Sequence, residues 1–121
     1  MATQVGIARQ VFEHHLATFG AGDLDGILSD YGDDSILIGP NGPLKGIQAI
    51  RGFFEGVLAS LFKPGTYEFT MDTMHVIDDV VYIVWHARCA TADVVFAADT
   101  FLIRDGKIAI QTFAPKIEAK P

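Results

Sequence analysis

The chain has 121 residues, half of them hydrophobic and only 20% charged, with nine Phe, three Tyr and one Trp. That is enough apolar material for one core in a single domain spanning 1–121, and it excludes a disordered or fibrous chain. A formal charge of −6 without any run of Lys or Arg excludes the basic stripe that nucleic acid requires.

Cys89 is the only cysteine, which rules out an intrachain disulfide and an all-cysteine metal site and points to a reducing, cytoplasmic setting. Arg9, Glu13, His14 and His15 interrupt the first 20 residues. No stretch approaches the roughly 18 apolar residues of a membrane span, so neither a signal peptide nor a membrane partner is expected.

Val5, Ala8, Phe12, His15, Leu16 and Phe19 recur at helical spacing and predict a first helix ending near Gly20 and Gly22. Asp23 can cap a short second helix with Leu24, Ile27, Leu28 and Tyr31 inward, and Asp33-Asp34 leads into a strand over Ser35 to Ile38. Gly39-Pro40-Asn41-Gly42-Pro43 stops that strand. A third helix follows Gly46, with Ile47, Ile50, Phe54, Val57, Leu58 and Leu61 on one side and Phe53 widening the face, until Lys63-Pro64-Gly65 ends it. Four strands then follow, Tyr67 to Ile77, Val80 to Ala90, Val94 to Arg104 and Lys107 to Phe113, joined by turns short enough for antiparallel hairpins. Lys116 to Pro121 reads as a solvated tail. Helices followed by a meander make an α+β protein with its helices on one face of a curved sheet.

The alternation along the strands gives the two faces. Val81, Ile83, Trp85, Ala87 and Cys89 share one side of the Val80 strand, and Val95, Ala97, Asp99, Phe101 and Ile103 one side of the next. The opposite faces, with Tyr82, Val84, Phe96 and Ala98, are apolar as well. A sheet covered by helices on one side only should show water a polar second face. The cover expected for this one is a second copy of the chain, a homodimer through the outer sheet face with His86 and Arg88 at the contact.

Two polar residues interrupt the inward stripes. Asp99 stands in the apolar run Val94 to Ile103, where a carboxylate must be paired, hydrogen-bonded or protonated, and a dry site raises its pKa. His15 lies on the buried face of the first helix. If that helix crosses the concave sheet, His15 and Asp99 point into one cavity as an acid–base or substrate-binding pair. Gln111 adds an amide, while Phe53, Trp85, Ala87, Cys89, Val95, Ala97, Phe101 and Phe113 supply apolar walls for a compact apolar or aromatic molecule. His14, His75 and His86 lack the spacing of a metal site, Cys89 reads as a small core residue, and no glycine-rich phosphate loop is present. Neither a metal nor a cofactor is expected.

Three stretches carry a resemblance that spans almost the whole chain: Gly22 to Asp34, Gly42 to Phe54 with its Gly-x-x-x-Ile-x-x-Phe-Phe spacing, and Asp99-Thr100-Phe101-Leu102-Ile103-Arg104-Asp105-Gly106-Lys107-Ile108. They are similar to the nuclear-transport-factor-2-like superfamily, which includes SnoaL-type polyketide cyclases and ketosteroid isomerases. The resemblance implies a cone-shaped, mixed or largely antiparallel sheet with three N-terminal helices on its concave side, a pocket inside the cone and a dimer through the outer face. Carried over residue by residue, Asp99 takes the place of the late-strand acid of both enzyme types. His15 stands where ketosteroid isomerases have a tyrosine, and Tyr31 and Phe54 are the supporting aromatics. Gly39 takes the place of the carboxylate base, which speaks against steroid isomerisation by the family's route because proton abstraction from carbon needs a positioned base. Two functions follow: a cofactor-independent cyclase, isomerase or dehydratase acting through Asp99 and His15, or a noncatalytic binding or assembly module with the same cavity.

Overall fold

The computed structural model describes residues 3–121. The first helix, α1 (Gln4–Ala21), starts at Thr3, whose hydroxyl accepts the Gly6 amide, and ends at Gly22 in the left-handed conformation. There Gly22 N–H and Asp23 N–H close back on the carbonyls of Phe19 and Thr18. Its buried face is Ala8, Phe12, His15 and Thr18. Asp23 caps α2 (Leu24–Leu28) by accepting the Gly26 amide. This helix is a single turn, so Tyr31 is not on it: Tyr31 opens strand β1 (Tyr31–Gly39), which begins four residues before Ser35.

The Gly39-Pro40-Asn41-Gly42 segment turns the chain rather than merely stopping it, because Gly42, at φ 101°, permits a hairpin into β2 (Gly42–Lys45). Pro43 is tolerated because β2 is an edge strand. The amphipathic α3 (Ile47–Leu58) follows and buries Ile50 and Phe54. The remaining strands are β3 (Glu68–Ile77), β4 (Val80–Arg88), β5 (Ala92–Arg104) and β6 (Lys107–Ala119).

All six strands form one mixed sheet in the order β2-β1-β6-β5-β4-β3, with β1 and β6 parallel and every other pair antiparallel. Ladder shifts at Met71/Thr73, Trp85/Ala87 and Val94/Phe96 bend the long strands, and such bulges increase twist and curl a sheet. The result is an α+β cone with the three helices on its concave side. Phe12, Phe54, Phe101, Ile27, Leu37 and Ile50 are fully buried between these layers.

Two expectations need correction. The tail from Lys116 is not free: β6 continues to Ala119, pairing with Ala92, Asp93 and Val94 of β5. Lys120 then bonds the Cys89 carbonyl and pairs with Asp93. Val95 does not face inward. The bulge between Val94 and Phe96 resets the alternation, so Val94 is buried while Val95 is 42% exposed on the other side. Among the described residues no helix is long and apolar enough to cross a membrane.

Candidate functional site

Aromatic side chains from all layers meet where α1 and α3 cover the sheet, around a cavity of about 70 Å³. Helix α1 contributes Phe12, His15, Leu16 and Phe19; α3 contributes Phe53 and Val57, and Phe62 comes from the turn after α3. The sheet adds Phe69, Ile83, Trp85, Phe101, Gln111 and Phe113. Leu16 and Phe69 are also solvent-exposed and form its rim. The space suits a compact molecule, being far below the roughly 300–1,000 Å³ of sites for drug-sized ligands.

His15 lines this space and is itself buried. Its ring centroid is 5.4 Å from that of Phe101, 5.9 Å from Phe54, 6.0 Å from Tyr31 and 6.2 Å from Phe19. Its Nδ1 is buried and has no hydrogen-bond partner among the described residues. Burial opposes a positive charge on the ring and, with a smaller push from His14, lowers its pKa from 6.5 to about 4. The imidazole is therefore neutral near pH 7, able to accept or donate one proton according to its tautomer.

A polar chain runs behind the cavity wall. Trp85 Nε1–H donates to Asp99 Oδ1 at 2.9 Å, and Gln111 Nε2–H donates to Asp99 Oδ2 at 3.1 Å. Tyr31 in turn donates its hydroxyl to Gln111 Oε1. Burial raises the Asp99 pKa to about 6, against the opposing pull of the Trp85 and Gln111 hydrogen bonds, so the carboxyl is mostly ionised at pH 7. Burial first, then the charges of Asp99 and Asp30, hold the Tyr31 phenol well above its usual range, and it stays a donor. Every member of the chain is buried. It is satisfied with the charge on Asp99, as a buried polar network must be.

His15, Phe53, Trp85, Phe101, Gln111 and Phe113 thus meet at one cavity. Asp99 stands outside its wall, held by two residues that line it, and no hydrogen bond joins it to His15. Tyr31 and Phe54 pack against the His15 ring without lining the cavity themselves, Ala87, Cys89 and Ala97 are buried in the core away from its lining, and Val95 lies on the outer face. Burial, then the nearby Asp93 charge, raises the pKa of the Cys89 thiol, which keeps it a poor nucleophile. Phe62 and Phe69 carry no inward signal in the sequence, since one follows a helix end and the other lies on an edge strand. At Gly39 a Cβ would stand 3.8 Å from Leu37 and 3.9 Å from Phe113. Among the described residues no carboxylate from elsewhere lines the cavity in its place. Among the described residues no cluster of three or more His, Cys, Asp or Glu could hold a metal ion.

A curved mixed sheet with three helices in its hollow and an aromatic interior defines a protein of the nuclear-transport-factor-2-like class. Within it, residues 12–111 match the SnoaL-like domain, and the chain belongs to that family. Among solved structures it resembles a proposed ketosteroid isomerase from Kribbella flavida, at 12% identity over 98% of this chain and 84% of that one, TM-score 0.78. It also resembles TerC co-crystallised with polyporic acid, at 20% identity over 91% of this chain and 92% of that one, TM-score 0.73. An LEH-like epoxide hydrolase of M. tuberculosis matches at 15% identity over 91% of this chain and 83% of that one, TM-score 0.70. At these identities the likeness shows a shared fold and leaves the chemistry to the site. No curated protein matches the chain in sequence.

Proposed function

We propose that the chain binds a compact, largely apolar molecule inside the cone and performs cofactor-independent acid–base chemistry on it: isomerisation, cyclisation or dehydration. The observation that carries this reading is the neutral His15 imidazole, lining an aromatic cavity with one ring nitrogen unpartnered. A buried polar group without a partner is costly unless a ligand or a function uses it. His15 moves the proton, and Gln111, oriented by Asp99, fixes a substrate oxygen. The small molecule recorded with TerC supports occupancy of this fold by organic ligands. The protein is further proposed to act as a homodimer in the cytoplasm.

Proton exchange tests the chemistry directly. In deuterated buffer, compact cyclic ketones that bind should lose their α-hydrogens faster with the protein than without it, and His15→Ala should remove about 10²–10⁴-fold of that rate. Ketones that bind but exchange no faster than in buffer would overturn the catalytic reading. A noncatalytic ligand-binding module would then remain, a reading favoured by two features: Asp99 has both oxygens engaged outside the cavity wall, and Gly39 carries no base.

A further inference from the structure

We propose that the cavity admits uncharged ligands and rejects anionic ones of the same shape, with Asp99 setting that rule; the proposal rests on reading this cavity as a ligand site. Among the described residues the walls hold no Lys or Arg, and their single titratable side chain is His15, whose burial among aromatic rings opposes a positive charge. An anion entering the cavity meets no counter-charge. It meets a like charge instead, because the Asp99 carboxylate lies one hydrogen bond behind both Trp85 and Gln111, two residues that line the space. In a wall of phenyl rings such a charge is poorly screened, and the net charge of −6 adds no attraction for anions.

The carboxylate also determines what the cavity offers. A carboxylate only accepts, so Gln111 must turn its NH₂ toward Asp99 and its oxygen toward the Tyr31 hydroxyl. An amide has two N–H donors and two acceptor sites, and each end of Gln111 spends one within the chain. The remaining N–H and lone pair, together with the His15 imidazole, match a neutral hydroxyl or carbonyl. The class of ligand is therefore an uncharged, single-ring alcohol, phenol or ketone, and the corresponding carboxylate is excluded.

Trp85, the sole tryptophan, lines the cavity and reports occupancy by its fluorescence. Benzyl alcohol and benzoate differ little in size and differ in charge, so titrating each at pH 8 isolates the rule. Wild-type protein should bind benzyl alcohol at least about tenfold more tightly than benzoate. In Asp99→Asn the gap should narrow to about threefold or less, mainly through tighter benzoate binding. Equal or tighter binding of benzoate by the wild type would overturn the charge rule while leaving the cavity a ligand site. If neither compound changes Trp85 emission up to its solubility limit, the ligand-site reading falls and the proposal with it. The wild-type pair decides the charge rule even if Asp99→Asn fails to fold. Repeating it at pH 5, where Asp99 takes up a proton while benzoate stays mostly ionised, tests the part of Asp99: a gap as wide at pH 5 as at pH 8 would overturn it.

Discussion

His15 and Asp99 are both displaced from their ordinary pKa values by burial, and they pull the pH dependence of stability in opposite directions. His15 titrates near 6.5 when unfolded and at about 4 in the fold. Its neutral form therefore contributes stability above pH 6.5, and this is lost as pH falls toward 4, roughly 3 kcal/mol in all. Asp99 rises from 3.8 to about 6, so the cost of its buried charge is present above pH 6 and disappears on acidification toward pH 4. The two nearly cancel in wild type. Urea midpoints measured between about pH 7 and pH 4 should show Asp99→Asn losing stability on acidification more steeply than wild type. His15→Phe should gain stability over the same range. At pH 7, His15→Phe should also be about 1 kcal/mol more stable than wild type, because it removes the unpartnered Nδ1 from an aromatic cluster, while ligand binding and turnover are lost. A variant that keeps full function would assign His15 to packing alone. The inward direction of both residues was legible from helical and strand periodicity. That Asp99 stops one layer short of the cavity was not, since its depth depends on Trp85 and Gln111 reaching it from neighbouring strands.

At the scale of elements, the sequence was most informative where periodicity is uninterrupted, as along α3 and β4, whose buried residues follow the predicted stripes. Along α1 the stripe holds at Ala8, Phe12 and His15, while Val5 and Leu16 are exposed and Thr18 is buried instead. It misled where one residue resets the alternation. Nothing in Val94-Val95-Phe96 announces the bulge that turns Val95 outward, because three apolar residues in a row carry no phase. The charged Lys116, Glu118 and Lys120 likewise suggested a tail, although the backbone pairs as far as Ala119. Two glycines show how differently local geometry constrains these elements. Gly26 lies where α2 meets α1, and a Cβ there would come within 2.4 Å of Asp23 Oδ2 and 2.8 Å of Thr18 Cγ2. Gly26→Ala should then disturb both the α2 cap and the helix contact, costing about 1–3 kcal/mol. Gly106, at φ 73° in the β5–β6 hairpin, has nothing within 4 Å, so Gly106→Ala should cost about 1 kcal/mol through backbone strain alone. Urea denaturation of the two variants checks the order. A Gly26→Ala protein more stable than Gly106→Ala would show that α1 and α2 shift apart without penalty.

For the molecule as a whole, the outer face of the sheet poses the remaining physical problem. Phe96 is 50% exposed and Tyr82 39%, and they stand on adjacent strands with Val84 and Ala98 paired between them. His86 and Asp72, 2.7 Å apart, pair within the same sheet, whereas Tyr82 and Phe96 stay exposed. Monomers seldom expose a continuous patch of several hundred Å² without a use for it. Pairing two copies through this surface makes an isologous contact in which each patch covers its equivalent. Light scattering at micromolar concentration should therefore give about twice the 13.1 kDa chain mass. Phe96→Glu should lower that mass to one chain by placing two like charges in a dry contact, an arrangement that costs several kcal/mol. The cavity opens on the opposite face of the sheet, so the monomeric variant should still bind ligand at Trp85. A mass that stays near 13.1 kDa as wild-type concentration rises would rule out the dimer and leave the outer face in need of a different partner.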